Sequence, residues 1–243
     1  SSDRIEYAFE GRRAPALADA FHPWARANRT WLEDWTLFSA LRDAHDGRPW
    51  VEWDRALRDR QPRSLARARE RHARAILFHG FVQFLFHRYW ARFRDYARWR
   101  GVGLIGDVPI FVEHDSADVW ANRELFELDS SGLKRVQAGV PPDYFSSTGQ
   151  LWGNPLYRWR AHAATKYRWW IARLRHALSR FDLLRLDHFI GFHRAWALPP
   201  RAETAADGRW QPGPGLAFFS AVARRIGALP LIAEDLGLVT AEV

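Results

Sequence analysis

Apolar positions along the first hundred residues recur at helical spacing. Trp31, Trp35, Phe38 and Leu41 lie three and four apart, the mark of one buried helix face. Ahead of them Thr30-Trp31-Leu32-Glu33 has the S/T-x-x-E form of a capping box, in which hydroxyl and carboxylate satisfy free backbone N–H groups at a helix start. Gly47 supplies a stop. A second helical stretch is predicted from Ser64 to Trp99, with Ile76, Phe84, Phe86 and Tyr89 among its core positions and Gly101 at its end. Residues 1–100 therefore read as a helical subdomain.

The texture changes at Gly101. "GVGLIGDVPIFV" (101–112) is short, apolar and bounded by glycine, as a buried strand would be. "VPPDYFSSTGQLWGNPLY" (140–157) is dense in Pro, Gly, Ser and Asn and reads as loop. Arg160 to Leu178 is amphipathic, with Trp170, Ile171, Leu174 and Leu178 along one side, and leads into the apolar run "FDLLRLDHFIGF" (181–192). A further loop (198–215), a helix of about a dozen residues and the short run "LPLIAEDLG" (229–237) follow. Strand, loop, helix and strand again is the alternation of parallel βα units. The expected fold class is α/β, with residues 101–243 as the part built from alternating β and α units.

Composition narrows the class. The chain has 243 residues, 47% hydrophobic and 26% charged, which is globular rather than disordered material. Cysteine is absent, which excludes disulfides and thiolate metal sites. No apolar run approaches a bilayer span and no export signal opens the chain, so no membrane partner is expected and a cytoplasmic location is. Methionine is absent as well, so the expected origin is a processed or truncated piece. The net charge of +8 is almost wholly arginine, since Lys134 and Lys166 are the only lysines. The densest run (60–75) aligns Arg67, Arg71 and Arg74 on one stripe. Acids elsewhere make that stripe a solvated helix face before a nucleic-acid surface, although a polyanion-binding helical module remains a rival reading.

Three predicted strands each carry a carboxylate at or near the C-terminal end: Asp107, Asp187 and Glu234. In a closed (β/α) barrel those ends converge on the face where active sites are built. Alternation along a strand sets Arg185 and Asp187 on one side and Leu184 and Leu186 on the other. Two nearby carboxylates suit glycosyl transfer, one as nucleophile and one as general acid and then base. Asp187 beside Arg185 is expected to stay ionised, and Glu234 facing it to hold its proton more tightly. The alternative is a structural ion pair with Glu234 capping the next helix. Asp187, His188 and His193, or His114, Asp115 and Asp118, lack an accepted ligand spacing, so neither a metal nor another cofactor is expected.

"GLIGDVPIFVEHDSADVW", "PPDYFSSTGQLWGNPLY", "LRLDHFIGF" and "IAEDLG", in that order, resemble the 4-α-glucanotransferases (amylomaltases) of glycoside hydrolase family 77, in the α-amylase clan. The resemblance runs from "WLEDWTLFSAL" to "AEDLG". It implies Asp187 as nucleophile and Glu234 as acid/base, with Arg185, His188 and Asp107 positioning the nucleophile and sugar hydroxyls. It also makes the stretch holding Asp143, Gln150 and Trp152 a sugar-contacting loop. The implied substrates are maltooligosaccharides and α-1,4-glucans, by retaining double displacement. A third carboxylate on a later strand and the first two barrel strands have no counterpart here. The resemblance thus implies a central piece, about strands three to five of a (β/α)8 barrel, inactive by itself. A hydrolase of the same clan and a non-catalytic glucan binder stay open.

Overall fold

The computed structural model describes residues 15–144, 146–234 and 240. Phe145 and the motif residues Asp235, Leu236 and Gly237 lie outside the described residues. By Cα proximity the chain divides into two compact units, residues 1–93 with 115–121, and residues 94–114 with 122–243.

The first unit is helical. It holds α1 (Pro15–Ala27), α2 (Arg29–Ala44), α3 (Arg55–Arg58), α4 (Pro62–Arg71), most of α5 (Ala73–Trp99) and the short α6 (Ala117–Ala121). Phe21 of α1 packs edge-on against Phe81 and Phe84 of α5, with centroids 5.7 and 5.8 Å away. Asp115 accepts the Trp50 backbone N–H at 3.0 Å and meets Arg42 at 3.4 Å.

Three local expectations fail here. No capping box forms, because one residue, Asn28, separates α1 from α2 and Thr30 is already helical. The Asn28 side chain instead accepts from the Trp31 indole at 3.1 Å and donates to the Trp24 carbonyl at 2.9 Å. The single helix over 64–99 is broken at His72. Phe86 and Tyr89, expected in the core, are 46% and 63% exposed. A 27-residue helix with aromatics on more than one face cannot bury them all against α1, and Phe81 and Phe84 take that contact.

The second unit is mixed α/β. β1 (Ile105–Pro109), β4 (Leu183–Asp187) and β7 (Leu231–Ala233) form a parallel sheet in the order β1-β4-β7, with Asp107 opposite Arg185. Leu184 and Leu186 are buried, while Arg185 and Asp187 lie on the other, half-open face. α7 (Trp159–Ala164) and α8 (Arg168–Leu178) replace the one helix expected over 160–178, because Lys166 and Tyr167 both turn to positive φ between them. Trp170, Ile171 and Leu174 of α8 are buried, as their spacing predicts. α9 (Leu216–Ile226) adds Phe218 to an aromatic core with Trp170 and Phe192.

The start of the parallel sheet is pinned by charge. Asp182 accepts from Arg94 and Arg98 at 2.9 and 2.7 Å and from the Leu104 N–H at 2.9 Å. That N–H, then the two guanidinium groups, hold its carboxyl far below the usual range.

A four-stranded antiparallel sheet was not foreseen. β2 (Gln137–Val140), β3 (Gln150–Pro155), β5 (Arg194–Leu198) and β6 (Arg209–Pro212) pair in the order β3-β2-β5-β6. The stretches read as loop, 140–157 and 198–215, thus each contain a strand. Their Gly and Pro concealed it, and β3 buries only its last residue fully.

Candidate active site

The carboxylates gather around one guanidinium at the C-terminal end of the parallel sheet. β4 places Arg185 and Asp187 on the same side, two residues apart. Nη1 of Arg185 donates to both oxygens of Asp107, at 3.0 and 2.8 Å. Its Nη2 meets Asp187 Oδ1 at 2.9 Å and Glu234 Oε1 at 2.6 Å. Two carboxylate oxygens on one nitrogen are at most about 5.5 Å apart, those two distances laid end to end. Glu234, just past β7, is the most enclosed of the three acids at 13% side-chain exposure, against 39% for Asp187 and 58% for Asp107.

His188 closes the cluster. Its backbone is left-handed, at φ +53°, and its N–H donates to Glu234 Oε2 in a short hydrogen bond. Its ring packs against Trp152 edge-to-face, with centroids 4.6 Å apart, and faces Phe111 at 6.2 Å. Ring atom Nε2 is buried with no hydrogen-bond partner. Burial pulls the His188 pKa below its ordinary value, with Glu234 opposing, so the ring is held toward neutrality.

The Asp187 carboxyl departs from the expected direction. Burial, followed by the Glu234 carboxylate, raises its pKa; Arg185 pulls it back only in part, and Asp107 pushes it up again. The nearby cation favours the charged form, as argued from the sequence, but is outweighed by desolvation and like charge.

The structure therefore brings together Asp107, Arg185, Asp187, His188, Glu234 and Trp152. Gln150 joins at the edge: its Oε1 accepts the Trp152 indole N–H at 3.0 Å. Asp143 Oδ1 accepts the Ser146 N–H at 2.8 Å in a local turn ahead of β3. His114, from the second conceivable metal set, bonds the Gly132 carbonyl at 2.8 Å. Among the described residues no three His, Cys, Asp or Glu side chains are placed to hold a metal ion, and no helix is long and apolar enough to cross a membrane.

Residues 3–243 match the 4-alpha-glucanotransferase family, glycoside hydrolase family 77. The chain belongs to that family. Among its relatives, the 4-alpha-glucanotransferase of Synechocystis is 46% identical over 230 residues, 94% of this chain and 46% of the relative. That of Thermus thermophilus is 46% identical over 235 residues, 97% and 47% of the two chains. The amylomaltase from Streptococcus agalactiae in complex with acarbose superposes with a TM-score of 0.87 at 36% identity, covering 96% of this chain and 50% of that one. The chain spans about half the length of the curated relatives it matches.

In this 4-alpha-glucanotransferase family member the sequence reading missed two supports of the site. Phe111 sits among Trp152, Tyr157 and His188, with centroids 6.0 to 6.2 Å away, and its only signal was a place just beyond the carboxylate-bearing strand. Lys134 donates to the Gly153 carbonyl at 2.6 Å, next to Trp152. Its signal was being one of two lysines in a chain whose other basic charges are arginine.

Proposed function

We propose that the protein to which this chain belongs is a retaining 4-α-glucanotransferase, with Asp187 as nucleophile and Glu234 as general acid and base. The observation that carries this is Arg185 Nη2 bridging the two carboxylates. Their two nearest oxygens are thereby held within about 5.5 Å of each other, which supports the close carboxyl pair of retaining enzymes, roughly 5–5.5 Å apart, over the wider pair that leaves room for an attacking water.

An Asp187 oxygen attacks the anomeric carbon of a maltooligosaccharide. The glycosidic C–O bond breaks, and Glu234 gives its proton to the departing 4-oxygen. The 4-hydroxyl of a second glucan then attacks the glycosyl ester, Glu234 takes its proton back, and the Asp187 carboxylate is released. Arg185 orients both carboxylates, with Asp107 holding its other nitrogen. The unpartnered Nε2 of His188 supports a role in meeting a sugar hydroxyl, since a buried polar atom left unpaired is unfavourable until a ligand fills it. Trp152 offers a ring face to a pyranose, with Gln150 fixing its indole and Asp143 in the turn that leads into β3.

The parallel sheet is read as about strands three to five of a (β/α)8 barrel, with residues 1–100 as a helical inserted subdomain. β1 has one neighbour in the described sheet. On the segment leading to it Tyr96, Trp99, Val102 and Ile105 are all more than half exposed. An edge strand with apolar surface beside it is what further strands of a barrel would cover.

Mechanism-based trapping tests the roles. A 5-fluoro-α-glucosyl fluoride slows both steps, while its leaving group lets the first proceed. The expected product is a peptide carrying the fluorosugar on Asp187. A label on Glu234, or none on an enzyme that turns over maltotriose, removes Asp187 from the role.

A further inference from the structure

The pairing of β2 with β3 is irregular where it approaches the site. Gly139 faces Leu151 and Gln137 faces Pro155, so two steps along β2 are matched by four along β3. Trp152, Gly153 and Asn154 therefore bulge from the ladder, with Gly153 at φ +78°. A bulge re-aims a side chain and leaves backbone groups outside the ladder that need other partners. Here the re-aimed side chain is Trp152, whose ring meets His188.

Two side chains hold this bulge. The Lys134 ammonium donates to the Gly153 carbonyl at 2.6 Å, and the Asn154 amide donates to the Val112 carbonyl at 3.1 Å, just past β1. Lys134 is itself held firmly. It follows a tight turn in which Asp129 Oδ1 accepts from the Ser131 and Leu133 N–H groups at 2.8 and 2.9 Å. The turn is closed by a bridge between Leu128 and Lys134 and by the Arg135 N–H on the Glu127 carbonyl at 2.9 Å.

We infer that Lys134 is a positioning residue for glucan binding: by holding the Gly153 carbonyl it keeps the β3 bulge in the shape that presents Trp152 beside His188. The inference rests on the reading of Trp152 as a sugar platform and extends it to a group that touches no sugar. Lysine suits the place for a physical reason. An ammonium is a compact point donor that fits behind a turn, where the planar fork of arginine, used almost everywhere else in this chain, needs more room. Burial of the ammonium, seen as a pKa pulled below the lysine range against the pull of Glu113, is consistent with a donor committed to the fold.

The test uses the protein expressed from its complete reading frame, with two substitutions. Lys134→Met removes the donor at similar length. Lys134→Cys, before and after alkylation with 2-bromoethylamine, removes the ammonium and then restores it on a thioether stem; the unsubstituted protein treated alike is the control. Two quantities are read: hydrogen exchange of the peptide spanning 150–156, and the kinetics of maltotriose disproportionation. The expected result is faster exchange in that peptide and a KM raised about tenfold, the scale of one lost oriented contact, with kcat changed less than about threefold. Both effects should revert on aminoethylation.

Unchanged exchange overturns the inference, as does unchanged KM or a loss of activity that aminoethylation does not restore. If the unsubstituted protein transfers no glucan, the functional reading fails. The exchange result alone then decides whether Lys134 holds the bulge.

Discussion

Arg185 shares two nitrogens among three carboxylates, and this division shapes the site more than any single charge. Lysine there could not reproduce it, because one ammonium lacks the fork that addresses Asp107 with one nitrogen and Asp187 with Glu234 by the other. The Asp187 carboxyl, raised by burial and by Glu234, is more readily protonated in the folded protein than in the unfolded one. Its stabilising share is thus present at pH below the unfolded pKa and lost as pH rises through the folded one. Asp187→Asn should abolish glucan turnover while raising the melting temperature at pH 7 by about 1–3 °C, with a smaller gain toward pH 3. A lower melting temperature at pH 7 would show that the ionised carboxylate supports the fold.

These four residues were legible because a strand repeats every two residues: Arg185 and Asp187 share a face, and Leu184 and Leu186 take the other. The direction of the Asp187 shift was not legible, since desolvation depends on what surrounds the group in three dimensions. Nor was the turn at Asp143, whose carboxylate accepts the Ser146 N–H.

Among the elements, α8 and β4 follow directly from their apolar spacing, whereas the antiparallel sheet does not. β3 carries a bulge and stays largely open on one side, so its residues lack a clean alternation. The capping box failed for a related reason, since a local motif is overridden when the preceding helix arrives one residue away.

α7 carries a further consequence, His162, which is fully buried among the rings of Tyr157, Trp159 and Trp169, with centroids 5.2 to 5.8 Å away. Burial pulls its pKa from 6.5 down to about 4, and the Leu125 backbone offsets this only in part. Between those values the unfolded chain binds a proton that the folded one does not. Stability is therefore fully present above 6.5 and falls as the pH drops toward 4, by about 3 kcal/mol in all. His162→Phe, which keeps a ring in the cage, should flatten this acid limb. Urea midpoints at pH 7 and pH 4.5 should differ less in the variant than in the unsubstituted protein; equal differences would mean that His162 is not the group responsible.

For the whole molecule, family membership and the open sheet lead to the same expectation. The chain matches about half the length of its relatives, and β1 and β7 each have one neighbour in the described parallel sheet. The parallel βα character was readable from alternating elements, while the four-stranded antiparallel sheet was not. The measurement that tests the account most directly is incubation with maltotriose of the protein from its complete reading frame, beside the 243-residue chain alone. Product lengths and total reducing ends are followed together. The account predicts a ladder of longer and shorter glucans at constant reducing ends from the former and nothing from the latter. Reducing ends that rise with every bond cleaved would make it a hydrolase, and no products from the complete protein would reduce Asp187 and Glu234 to structural ion-pair partners of Arg185.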